Sequence, residues 1–534
     1  MERGMVPVGL AEEVLRFQEK MTDLNRKAVL AAFEQVKASQ TCINGLWQYY
    51  FDFMEPFWVA LKSFQAMEKV KIGDHAPEDT ARDYLELFYF NLQIAKTGLL
   101  STIRSVNEYH AREWARAFTA LLNTCTGTEG PDILAYSERK AKIFEELVYN
   151  YSREIRNIAS EFGFHFENGG YERVAETDRF ILYRVFPTDP AVTSREDGKP
   201  VVIIPPYVLG ANILAFLPGE GKSYTHAFAN QGTPTYIRIM KDVAVTPALA
   251  VMTGEDDARD TRLFCETVMK RHGRPVTLNG FCQGGFMAVL DILSGELDGL
   301  VDALVTCVAP MDGTESQSLV EYLEHIPLRF RDLGYALKAL PGVGDVVDGK
   351  VMSWVYKLKS MDKESPIHTF YRDLMMFDRP DDSEVKVSKT AAALNHWLMY
   401  ERNDLPRGIT QLSFDSYTIP VTPDGTLPVK LFGKTLNFKG IPERNIPWLL
   451  CYAAKDDLVN PEAALAPRKY IDVEVTVFPR GHGAIATSWS NPTSECALHT
   501  VFGKEGYRGP VRFHLDLEAA GPAGKGRPTP RKAA

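Results

Sequence analysis

Two periodicities divide the chain. From about residue 10 to about residue 165, apolar positions recur every three or four residues, as in Val14, Phe17, Met21, Leu24 and Ala28. Ile143, Leu147, Tyr151, Ile155 and Ile158 repeat the pattern, with charges between them. That spacing puts the apolar side chains on one face of a helix. It predicts roughly five helices, broken at "DHAPED" and "TGTEGPD". After residue 175 the pattern changes to short apolar runs alternating with helical stretches such as 257–272. The runs are "RFILYRVF", "PVVIIPP", "TYIRIM", "PVTLNGF", "DALVTCVAP", "IPWLLCYAA" and "DVEVTVFP". Several are apolar without alternation, as parallel strands buried on both faces must be. An α/β architecture with a mostly parallel, doubly wound sheet follows.

The expected organisation is a helical domain over 1–168, an α/β domain over 169–515 and a disordered basic tail over 516–534. The residues between the strand ending near Pro310 and the one starting near Ile446 break the alternation. They predict an inserted cap over about 313–440. Within it, "LRFRDLGYALKALPGVGDVVDGKVMSWVYKL" is amphipathic with a Gly-rich interruption, and reads as a mobile lid or a rigid helical decoration. The aromatic-rich "WQYYFDFMEPFWVAL", residues 47–61, reads as helix-packing core at a Pro56 kink. Its alternative is an exposed surface for a partner subunit or a hydrophobic product.

Composition narrows the class. With 45% hydrophobic and 24% charged residues, 534 residues can bury a large core. A net charge of −9 argues against nucleic-acid binding. No run reaches the eighteen or so apolar residues of a membrane span, and acidic positions near the start interrupt any signal-peptide core, so the expected location is the cytoplasm. The seven cysteines are scattered and lack a C-x-x-C pair, which predicts neither a disulfide framework nor a structural zinc site. No metal or organic cofactor is expected. "PGEGKS" lacks the first glycine of a phosphate-binding loop, because position 216 is Phe.

The chemistry gathers at predicted strand ends. Cys282 follows "PVTLNGF" and precedes a helical "QGGFMAVLDIL", in the frame Gly280-Phe281-Cys282-Gln283-Gly284-Gly285. This is the strand, sharp turn and helix that a nucleophile elbow requires. With 39 glycines and seven cysteines, a G-x-C-x-G frame arises by chance only about 0.04 times, so it calls for a reason. A thiol needs a base to react at neutral pH. His482, after "VEVTVFPRG", supplies one, and the acid comes from Asp456 or Asp457 after "WLLCYAA". Asp456 is preferred, because Val459 and Pro461 complete a D-x-x-V-x-P acid loop. The order of nucleophile, acid and histidine is that of α/β hydrolases. The oxyanion hole is expected to use the N–H of Gln283 and a second N–H after "VVIIPP". Pro206 has none, which leaves Tyr207 or Val208.

These residues resemble the polyhydroxyalkanoate (poly-3-hydroxybutyrate) synthases, acyl-CoA polymerases of α/β-hydrolase fold with a cysteine in a lipase-box frame. The likeness covers roughly residues 170–490 through "ETDRFILYRV", "VVIIPP", the box at 280–285, "HWLMYERNDL", "LFGKTLNFKGI", "AAKDDLVNP" and "GHGAIATSWSNP". It implies that Cys282 attacks a hydroxyacyl-CoA thioester, that His482 is the general base, and that Asp456 orients His482 or helps activate the incoming hydroxyl. It also implies a polyester granule surface, and a homodimer or a partner subunit, as associates. Two departures stand out: Gln283 is polar where the family has a small apolar residue, and "IRIMKDVAV" replaces a Ser-Trp-Arg-Asn-Pro segment. The N-terminal helices resemble, in composition only, granule-associated phasin-type proteins. Three functions follow: an acyltransferase forming polyester; a depolymerase or thioesterase on the same triad; and a non-catalytic granule-associated binding protein.

Overall fold

The computed structural model describes residues 8–317, 320, 323, 326–352, 365–378 and 387–487. The tail, Cys496 and the "SNP" of the last motif lie outside them.

Among the described residues an eight-stranded sheet forms from β1 (Tyr171–Glu176), β2 (Phe180–Val185), β3 (Val201–Ile204), β4 (Thr235–Met240), β5 (Val276–Phe281) and β6 (Val301–Cys307), joined by two late strands. A hairpin of β7 (Leu337–Leu340) and β8 (Gly344–Val347), and another of β9 (Thr426–Leu431) and β10 (Lys434–Asn437), intervene. The sheet then resumes with β11 (Trp448–Ala453) and β12 (Glu474–Phe478) in the order β1-β2-β4-β3-β5-β6-β11-β12. β1, β2 and β4 pair antiparallel, and every pairing from β4 to β12 is parallel. With the hairpins set aside this is the strand order of an α/β-hydrolase fold, and the chain has that fold.

The buried pattern explains the parallel core. Every residue of β3 and β5 is buried, which requires cover on both faces. The helix following β5, Gln283–Ser294, is buried along its whole length and so packs into the core rather than over it. The predicted strands are seven of these eight. β1, with the sequence YERVAE, was not anticipated: it is half-exposed and charged, as an antiparallel edge strand can be.

The helical region is built from fewer and longer helices than the periodicity predicts. α1 runs Val8–Lys71 and α2 runs Pro77–Thr126, and they part at "DHAPED". α3 (Ile133–Glu145) passes through a π-helical segment, Glu146–Tyr151, into α4 (Ser152–Asn157). α1 continues through Pro56. Around that proline Trp47, Phe51 and Trp58 are exposed while Tyr49, Phe53 and Phe57 are half-buried, so the segment is only in part helix-packing core.

The compact units do not follow a single cut in the sequence. One comprises Met1–Val59, Phe88–Ile158 and Tyr356–Asn395; the other comprises Ala60–Leu87, Ala159–Val355 and His396–Ala534. In the first, Tyr49 donates to Asp373 at 2.9 Å and stacks edge-on against Phe370, tying residues of the expected cap to α1. In the second, Glu68 accepts from Arg329 and Tyr335, and its ion pair with Arg329 is buried. The described part of the amphipathic "LRFRDLGYALKAL" stretch forms two short 3-10 turns and the β7–β8 hairpin, not a helix.

Candidate active site

Register brings the site together. Phe281 of β5 lies beside Cys307 of β6, Cys307 lies beside Cys451 of β11, and Ala453 pairs with Phe478 of β12. Because these strands are parallel, their carboxyl ends share one edge of the sheet. Cys282 lies one residue beyond β5, Asp456 three beyond β11 and His482 four beyond β12. Side chains 174 and 26 residues apart in sequence therefore converge without any element bending.

The glycines make the turn possible by closeness. Cys282 has φ 53° and ψ −126°, a conformation that costs a non-glycine residue about 1–3 kcal/mol and is held only by its surroundings. Cys282 N–H donates to Cys307 O at 2.8 Å, and Gly285 N–H donates back to Cys282 O at 2.9 Å. A Cβ on Gly280 would stand 2.6 Å from Gly285 N, one on Gly284 2.6 Å from Pro205 O, and one on Gly285 2.6 Å from the Ala309 methyl. Each position of the G-x-C-x-G-G frame thus abuts the elbow itself or a neighbouring strand end.

The histidine is fixed by its carboxylate. His482 Nδ1 is 2.8 Å from Asp456 Oδ2, so Nδ1 carries a proton toward the carboxylate. The other Asp456 oxygen accepts from Leu458 N–H and Val459 N–H, both at 2.9 Å. Asp456 is buried; Asp457 is exposed. Ser316, which no sequence signal marks, braces the same loop by accepting from Asn460 N–H at 3.0 Å and donating to Leu458 O at 3.1 Å. The edge of Phe281 packs against the His482 ring at 6.0 Å between centroids.

Electrostatics separate His482 from an ordinary buried histidine. Burial alone pushes His226 down to about 4. At His482 burial opposes the charge too, but the Cys282 sulfur and the Asp456 carboxylate outweigh it and raise the ring to about 10. Among the described residues no hydrogen bond of ordinary geometry reaches His482 Nε2, which is buried. The contact with Phe281 places the ring beside the elbow. Burial pushes the Cys265 thiol well up, and a hydrogen bond with Cys307 followed by burial does the same at Cys451. Those cysteines are held as inert thiols.

The loop after β3 is where a second oxyanion donor is expected. Val208 N–H donates to Gln283 Oε1 at 3.2 Å, whereas Tyr207 N–H makes no hydrogen bond among the described residues. The Tyr207 hydroxyl donates to Asp257, and Asp257 pairs with Arg238 at 2.8 Å, all three fully buried. This anchor under the loop has no motif in the sequence. A cavity of about 440 Å³ opens against Pro205, Pro206 and Tyr207, lined also by Phe164, Phe180 and Arg238, but Cys282, Asp456 and His482 are not among its lining residues.

No protein-family model matches the chain, and no curated protein is significantly similar to it. Solved structures resemble it at low identity. A carboxylesterase of the thaumarchaeon Nitrososphaera gargenis is 12% identical, with a TM-score of 0.34 over 59% of this chain and 92% of its own. A bacterial membrane phospholipase A is 12% identical, with a TM-score of 0.35 over 71% of this chain and 96% of its own. The thioesterase domain of the curacin biosynthetic pathway is 11% identical, with a TM-score of 0.28 over 59% of this chain and 94% of its own. The fold assignment rests on strand order and on the elbow.

Proposed function

We propose that the protein is an acyl-transfer enzyme that works through a covalent thioester on Cys282. The observation that carries this reading is a carboxylate-held imidazole packed against Phe281, the residue next to a cysteine in strained elbow geometry. His482 takes the Cys282 proton at Nε2, and the sulfur attacks the carbonyl of an ester or thioester. The tetrahedral oxyanion is met by Gln283 N–H and an N–H of the 205–208 loop. Collapse breaks the bond to the leaving group, which departs with the proton from His482. Asp456 keeps the proton on Nδ1 and steadies the imidazolium.

A sulfur nucleophile favours a thioester donor and a transfer outcome. Exchange of one thioester for another is nearly thermoneutral, so acyl-Cys282 keeps its potential to acylate a hydroxyl. The donor we propose is a hydroxyacyl-CoA and the acceptor the hydroxyl of a second acyl unit, deprotonated by His482, so that the ester chain grows by one unit. This part rests on the sequence resemblance to polyhydroxyalkanoate synthases. Hydrolysis on the same triad differs only in the acceptor, which becomes water.

The test is to supply 3-hydroxybutyryl-CoA and follow CoA release together with the acyl product, with Cys282→Ala as control. Polymer or linear oligomer supports the transferase, and free hydroxy acid supports the hydrolase. No CoA release from the unaltered protein refutes both.

A further inference from the structure

We infer that the Gln283 side chain is a positioning residue for the oxyanion hole. It clamps the loop after β3 so that Tyr207 N–H, not Val208 N–H, is the second donor. The inference rests on the proposed Cys282 chemistry and assigns a task to a residue by which this chain departs from the synthases it resembles.

Three observations converge. First, the amide oxygen is engaged: Gln283 is buried and its Oε1 accepts from Val208 N–H at 3.2 Å, while its Nε2 makes no hydrogen bond among the described residues. A backbone N–H can only donate, so the amide oxygen must face Val208, which settles which way the amide points. Second, that bond removes Val208 from the pool of donors. Pro205 and Pro206 have no N–H, so Tyr207 N–H is the first amide after them and makes no hydrogen bond among the described residues. Third, Tyr207 is held from its other end, because its hydroxyl is tied to Asp257, itself paired with Arg238. With the ring anchored below and the next peptide clamped above, the Tyr207 amide has little freedom left.

The loop also has little intrinsic means of holding itself. Pro205 O and Ile204 O lie against Gly284 at the start of the nucleophile helix, close enough that no side chain fits there. Such contact sets the spacing between loop and helix, but it does not set the rotation of the Tyr207 and Val208 peptides. A hydrogen bond from the residue that follows the nucleophile does. It also couples the two oxyanion donors, since Gln283 contributes its own backbone N–H to one side and orients the other side through its side chain. A small apolar residue at 283 fills the space but leaves Val208 N–H without this acceptor.

The experiment separates chemistry that needs an oxyanion hole from chemistry that does not. Acylation of Cys282 by 4-nitrophenyl butyrate passes through a tetrahedral oxyanion, whereas alkylation by iodoacetamide is a direct displacement of iodide by sulfur. In Gln283→Met, which keeps the volume and loses the acceptor, the acylation burst falls by about 10- to 100-fold while the alkylation rate is unchanged. KM for the ester moves little, because the clamp acts on the transition state. Gln283→Asn, whose shorter amide cannot span the gap, behaves as Gln283→Met does. A Gln283→Met burst that is unchanged or faster overturns the inference, the faster case showing that Val208 N–H is the donor once released. A parallel fall in alkylation overturns it too, because the substitution has then disturbed the elbow. Absence of any burst from the unaltered protein overturns the Cys282 reading and this inference with it.

Discussion

Replacing Gly284 by alanine puts a methyl group where the elbow meets the oxyanion loop. The new Cβ would stand 2.6 Å from Pro205 O and closer still to Ile204 O, against the 3.4 Å at which ordinary contact begins. Helix start and loop must therefore part by about 0.8 Å or more. Both obstacles are main-chain carbonyls, so neither can rotate aside as a side chain would. Overpacking of this kind costs about 1–3 kcal/mol of stability. Gly284 does not adopt a positive φ, so the cost is steric alone. A shift of about 1 Å in a group aimed at the transition state costs about 100-fold in rate. Gly284→Ala should lose about 1–3 kcal/mol in urea unfolding and slow the 4-nitrophenyl butyrate burst by about 100-fold, while Cys282 still reacts with iodoacetamide. Gly219→Ala, where nothing lies within 4 Å, is the control and should match the unaltered protein. A Gly284→Ala protein as stable and as fast as Gly219→Ala would refute the reasoning.

Three further predictions concern the charges. Asp456→Asn should slow acylation by a factor on the order of 10⁴, because the imidazole loses the partner that fixes its tautomer; Asp457→Asn, exposed, should leave the burst rate intact. The His482 ring should titrate near 10 when followed by NMR and much lower in Cys282→Ala. Its folded value is raised above the unfolded value of about 6.5. Its contribution to stability is therefore complete below about 6.5 and lost as pH rises to about 10, and a stability that increased with pH over that window would contradict the assignment. Asp257→Ala strands the Arg238 guanidinium in the core and should cost about 3–5 kcal/mol in urea unfolding; a loss under about 1 kcal/mol would show that the buried pair does not anchor Tyr207.

Much of the sheet, and the turns that carry Cys282, Asp456 and His482, were legible because each is local. An apolar run such as Val201–Ile204 must be a covered strand, and the glycines around Cys282 announce a tight turn before any partner is known. The His482 and Asp456 placements followed from chain order and strand ends. What the sequence did not disclose depends on contacts between distant residues. β1 is charged and half-exposed, so it carries no strand pattern. The uninterrupted length of α1 through Pro56, and the pairing of Tyr49 with Asp373, come from packing that no local period encodes. Ser316 under the acid loop, Asp257 under Tyr207 and the Gln283 clamp are single polar residues whose partners lie 142, 50 and 75 positions away.

The central claim is that an acyl group passes through the sulfur of Cys282. Rapid quenching in acid after mixing with 3-hydroxybutyryl-CoA, followed by mass analysis of the peptide that carries residues 277–290, tests it directly. The account predicts one hydroxybutyryl adduct on Cys282, formed no more slowly than CoA is released and absent from Cys282→Ala. CoA release with an unmodified Cys282, or an adduct confined to the exposed Cys125, would contradict it.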